Sequence, residues 1–148
     1  MSGLLRNFSV LIKNEFMEFI KTMQQIADEI DAQFNEYDER KSVLVIVLAG
    51  SRYQTVMCRL NHHDKYQRDL IQFTTKVCDT DQFISYVDIM SSNADFVHSK
   101  FVISDGFLKV ESTTYVDNAN PSMLKEMILE VAQLADEWEF KITGQDIN

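Results

Sequence analysis

The sequence predicts an α+β fold of the order α-β-β-β-α-β-β-α, an antiparallel five-stranded sheet with its helices packed mainly on one face. Three observations predict it. Segments near both ends repeat apolar residues every three or four positions, the period of a helix. The stretches between them alternate apolar and polar residues or are rich in β-branched ones, as strands are. The turns joining those stretches are short, which favours antiparallel neighbours.

The elements follow in chain order. From about Ser9 to Tyr37 the residues Ile12, Phe16, Phe19, Met23, Ile26 and Ile30 recur at helical spacing, with Phe34 and Tyr37 continuing the same side. "DERK" ends that pattern. "SVLVIVLAG" (residues 42–50) is apolar on both alternating faces and reads as an interior strand, with a turn at Gly50 and Ser51. "RYQTVMCRL" places Val56, Cys58 and Leu60 on one face and Tyr53, Met57 and Arg59 on the other. "DLIQFTTKV" is a third strand with Ile71, Phe73 and Val77 together. Next, "DTDQFISYVDIMSSNAD" turns helical, with Asp79 or Thr80 as its cap and Phe83, Tyr86, Val87 and Met90 on one side. Two further strands fold back at Ser104-Asp105-Gly106, because Asp-Gly accepts positive φ at both turn positions. Asn120 and Pro121 suit the cap and first position of a last helix, whose apolar face is Leu124, Met127, Ile128, Val131, Leu134, Ala135 and Trp138.

At 148 residues, with 45% hydrophobic and 25% charged residues, the chain reads as one domain over 1–148, with a long N-terminal helix. A domain of this size buries roughly 70% of its unfolded surface, so it needs neither metal nor disulfide to fold. The net charge of −9 disfavours nucleic acid and anionic membrane surfaces as partners. It would attract positively charged proteins, or serve only to keep the chain soluble. No stretch reads as a membrane span or a leader peptide, and Cys58 and Cys78 lack framework spacing, so a cytoplasmic protein with free thiols is expected.

The most chemically loaded stretch is "MCRLNHHD". On a strand Cys58 and His62 would lie on the order of 13 Å apart, too far to share a zinc ion. His62 and His63 point apart if extended, and residues 61–68 read as a solvated polar loop. Cys58, between Val56 and Leu60, reads as a buried strand thiol. No phosphate-binding glycine loop or nucleophile elbow is present, and Asp136 and Glu137 read as a solvated helix face. Catalytic residues, metal ligands and cofactors are therefore not expected. A small metal-dependent or Cys/His enzyme built on His62, His63, Asp64 and His98 is the alternative.

Tyr, Met and Arg are enriched at interface centres, so the outward face of Tyr53, Met57 and Arg59 is the candidate partner-binding site. Phe83, Tyr86, Val87 and Met90 are either core or the seam of a homodimer.

From Val43 to Ile142 the chain resembles the YbjN family, which is similar in fold to the type III secretion chaperones. The resemblance rests on the meander "VLVIVLAGSRYQTVMCRL…LIQFTTKV", the helix "FISYVDIMSSNADF" running into "KFVISDGFLKVESTTYV", and the closing helix "NPSMLKEMILEVAQLADEWEFKI". It implies a non-enzymatic chaperone or regulator that binds another protein, often as a dimer, with no cofactor. An immunity or antitoxin-like protein would suit the acidic charge as well.

Overall fold

The computed structural model describes residues 18–144. It is an α+β protein with six antiparallel strands in the order β1-β2-β3-β4-β6-β5. The first helix, α1, is seen over residues 18–29. The strands β1 (Gln33–Asp38), β2 (Lys41–Val47), β3 (Tyr53–His63) and β4 (Arg68–Asp79) then form a meander. A short helix α2 (Tyr86–Ser92) leads to the hairpin β5 (Ser99–Ser104) and β6 (Phe107–Tyr115), and α3 (Pro121–Thr143) closes the chain.

The sixth strand corrects the sequence reading. Phe34 and Tyr37 belong to β1, not to the first helix. A helical stripe advances by four and a strand face by two, so Phe34, four residues past Ile30, fits both periods. The chain breaks between them at Asp31 (φ 54°), while the Ala32 N–H donates back to the Ala27 carbonyl (2.8 Å) and closes α1. Phe34 then pairs with Leu44 across β1 and β2. Ile12 and Phe16 lie outside the described residues.

Strand parity builds the core. Leu44 and Ile46, Val56, Cys58 and Leu60, Ile71, Phe73 and Val77, and Leu108 and Val110 all point to one side of the sheet. Phe19, Met23 and Ile26 of α1 and Leu124, Met127, Ile128, Val131 and Ala135 of α3 cover that side. Leu134 and Trp138 pack at its margin, with the Trp138 ring edge-on to Phe101 of β5 at 5.4 Å. Both ends of α3 follow the sequence: the Asn120 side chain accepts the Met123 N–H (2.9 Å), and Gly144 ends the helix at φ 69°. Asp105 (φ 55°) and Gly106 (φ 79°) make the β5–β6 turn.

Three further expectations change. β3 extends to His63 and β4 begins at Arg68, which shortens the polar loop to residues 64–67. Helix α2 begins at Tyr86 with Ser85 as its cap residue. The Thr80 hydroxyl instead donates to the Gly106 carbonyl (3.0 Å), tying down the β5–β6 turn rather than capping a helix. Asp136 is buried, not solvated: its carboxylate takes a two-pronged bond from the Arg52 guanidinium (3.0 and 2.9 Å).

Candidate partner-binding face

Among the described residues the helices cover one side of the sheet and leave the other without a covering helix. Along β3, Gln54, Val56, Cys58 and Leu60 turn inward, so Tyr53, Met57 and Arg59 turn outward. Register sets their neighbours. Tyr53 stands opposite Val47, Met57 lies between Val43 and Thr74, and Arg59 lies between Lys41 and Gln72. From Tyr53 to Arg59 is roughly 20 Å along the strand.

A groove of about 590 Å³ is floored by Val43, Met57 and Val102 and edged by Arg59, Lys76 and Lys109. Met57 and Arg59 thus share the groove, while Tyr53, half-exposed at 49%, stands with Val47 beyond its end. Sequence reasoning missed Lys76, Lys109 and Val102. Their signal was alternation: Lys76 flanks the inward Thr75 and Val77, and Lys109 separates the inward Leu108 and Val110.

The two sheet edges differ. At β5 the Phe101 N–H donates to Asn93 Oδ1 (2.8 Å), and just before the strand the His98 N–H donates to Glu130 Oε1 (2.9 Å). Side chains thus occupy part of that border. At the other border, among the described residues, β1 pairs with β2 alone.

Helix α2 buries only Ile89. Phe83 is 95% exposed, Val87 76%, Met90 71% and Tyr86 48%, which overturns a core role for the four. Of the four, Phe83 lines a cavity of about 690 Å³, together with Ile89 and Trp138 among others.

The residues of the metal or enzyme alternative are separately engaged. His62 Nδ1 lies 2.7 Å from Asp69 Oδ1, and that carboxylate raises the His62 pKa above its ordinary 6.5. The His63 ring stacks on Tyr66 at 4.8 Å, and His98 Nε2 lies 3.4 Å from Glu126. Among the described residues no three His, Cys, Asp or Glu side chains are grouped to hold a metal ion. Burial pushes the Cys58 thiol up to about 12, which favours its protonated form at neutral pH. Burial raises Cys78 as well. Among the described residues no helix is long and apolar enough to cross a membrane.

No protein family profile and no curated protein matches the chain. A solved structure does: the crystal structure of the ExsC–ExsE complex superposes with a TM-score of 0.61 at 11% identity. The match covers 85% of this chain and 94% of that one. At that identity the likeness is one of fold, and the chain is similar in fold, nearly end to end, to a protein solved in a two-protein complex.

Proposed function

We propose that this is a non-enzymatic, cytoplasmic protein-binding domain, chaperone-like or regulatory in the manner of the YbjN and secretion-chaperone resemblance. It would act as a single domain that engages a partner protein through the open sheet face or through the edge of β1. One observation carries the reading. Among the described residues a grooved sheet face is left uncovered, with apolar and cationic side chains along it and Met57 and Arg59 inside the groove. The similarity in fold to a chain solved within the ExsC–ExsE complex supports it. An extended partner segment would contribute main-chain bonds at an edge or side-chain contacts on the face. Of the two edges β1 suits addition better, since Asn93 already occupies the Phe101 N–H of β5.

The test is alanine at Tyr53, Met57 and Arg59 together. Partner protein co-purified from the native host should be lost from the triple variant, whose fold is checked by circular dichroism. Undiminished partner recovery would sink the placement.

The same reading includes a homodimer through Phe83, Tyr86, Val87 and Met90. Tyr86, Val87 and Met90 of α2 and Phe83 just before it expose large apolar side chains that a second copy can match about a two-fold axis. Val87→Asp with Met90→Asp should convert the dimer into a monomer, read as a halved mass by light scattering. A parent protein already monomeric would refute this seam.

A further inference from the structure

We propose that the open face takes an extended polypeptide segment whose inward-facing side chains are acidic. This rests on the partner-binding reading above and goes beyond it in naming the chemistry of the occupant. The overall charge of −9 points the other way, toward cationic partners. The local arrangement decides the question, because at physiological ionic strength a charge is screened within about 8 Å.

The carrying observation is the sheet register. Lys41 stands directly opposite Arg59, and Lys76 directly opposite Lys109, all four on the open side. Like charges placed directly across neighbouring strands destabilise a sheet. The chain has 23 carboxylates to 14 lysines and arginines, so chance alone would favour cation opposite anion. Two cation pairs on one face are a cost to the free protein that an anionic ligand would relieve.

The local partners of these cations are weak. Lys76 Nζ lies 3.3 Å from Asp79 and 4.0 Å above the Phe107 ring, and Lys109 Nζ lies 3.6 Å from Asp105. Asp79 and Asp105 are both solvent-exposed, and such pairs contribute little. Lys41 rests over the Tyr37 ring at 5.0 Å, and Arg59 has no partner among the described residues. Two carboxylates also line the groove: Asp105 is the exposed partner of Lys109, and Glu111 is already taken by Gln72 and Lys100.

Spacing turns this into a ligand description. The two cation pairs are four positions apart along the strands and two strands apart across them, roughly 16 Å. An extended chain covers that distance in about five residues. Met57 lies between them, flanked by Val43 and Thr74, and Val102 lies beyond the second pair, across from Lys109. The matching segment therefore carries two acidic side chains four to six residues apart with an apolar one between, all facing the sheet.

Fluorescence anisotropy on the full chain provides the test. The probes are three labelled peptides of one extended design, with Glu, Gln or Lys at the two spaced positions. The Glu peptide should bind about tenfold or more tightly than its Gln twin, and the Lys twin should not bind. The double variant Lys76→Gln, Lys109→Gln should lose the preference for Glu while unfolding at a temperature no lower than the parent. Equal affinity for the Glu and Gln peptides overturns the inference, as does a preference that survives in the variant. A single-stranded oligonucleotide that displaces the Glu peptide at lower concentration also overturns it, in favour of a polyanion site. If the Tyr53, Met57 and Arg59 alanine variant loses the host partner but the peptides are not distinguished, the partner-binding reading stands and the acidic occupant falls. If the partner is retained as well, both fall.

Discussion

Gln54 and Glu139 meet in full burial between β3 and α3. The Gln54 amide donates to Glu139 Oε2 (2.8 Å), and Thr75 donates its hydroxyl to Gln54 Oε1 (3.1 Å). A buried donor stripped of its acceptor costs about 1–3 kcal/mol, so Glu139→Ala should lower the unfolding free energy by that amount in urea titrations. Glu139 was legible in principle, lying four residues past Ala135 on the apolar stripe of α3. Reading apolar positions alone passes over a carboxylate there, because the stripe records burial while the partner, Gln54, is 85 residues away. The Arg52–Asp136 bond was missed for the same reason: nothing local ties the two. His62 behaves differently. Its folded pKa is raised, first by the hydrogen bond to Asp69, so the protonated ring is what the fold favours. That contribution is fully present below the unfolded value of about 6.5 and is lost as the pH rises through the folded pKa. An NMR titration of the His62 ring should give a midpoint above 6.5, and Asp69→Asn should bring it down.

Elements were legible where one period dominated. Met57 and Arg59 were correctly paired on one face because parity along β3 is uninterrupted from Tyr53 to His63. Phe34 was not, since a spacing of four satisfies helix and strand alike and the break at Asp31 is a backbone event. The α2 segment shows a second limit. Its apolar residues follow helical spacing, but spacing cannot say whether anything covers them. The β5 border is a feature of tertiary contact alone. Removing its cover by Asn93→Ala should cost about 1 kcal/mol and speed hydrogen exchange at the Phe101 amide, while amides of β3 keep their protection.

For the molecule as a whole, the core and the proposed recognition face sit on opposite sides of one sheet. Phe73 is fully buried at the centre of the covered side, on the strand flanked by β3 and β6. Phe73→Ala should remove about 3–5 kcal/mol, a large share of the roughly 5–15 kcal/mol expected of a domain. Conversely, alanine at Met57 and Arg59 should shift thermal unfolding little, since neither is among the buried residues. The fold class was readable from the sequence, because the alternation of periods along the chain dictates it. The acidic occupant proposed for the open face was not, because it rests on which cations the register sets opposite one another.

The chain has a single tryptophan, and it lies where the sheet, the last helix and the α2 segment come together. Phe101 packs against one edge of the indole, Lys141 lies 4.6 Å from the ring centre, and the cavity beneath Phe83 opens beside it. Nature has thus placed one optical probe at the proposed seam and away from the groove. Docking of a second copy over α2 would strip water from the indole and move its emission to shorter wavelength. A peptide settling on the open face would leave the spectrum unchanged. Unlabelled protein, diluted in a cuvette, can therefore report self-association and partner binding as two separate events.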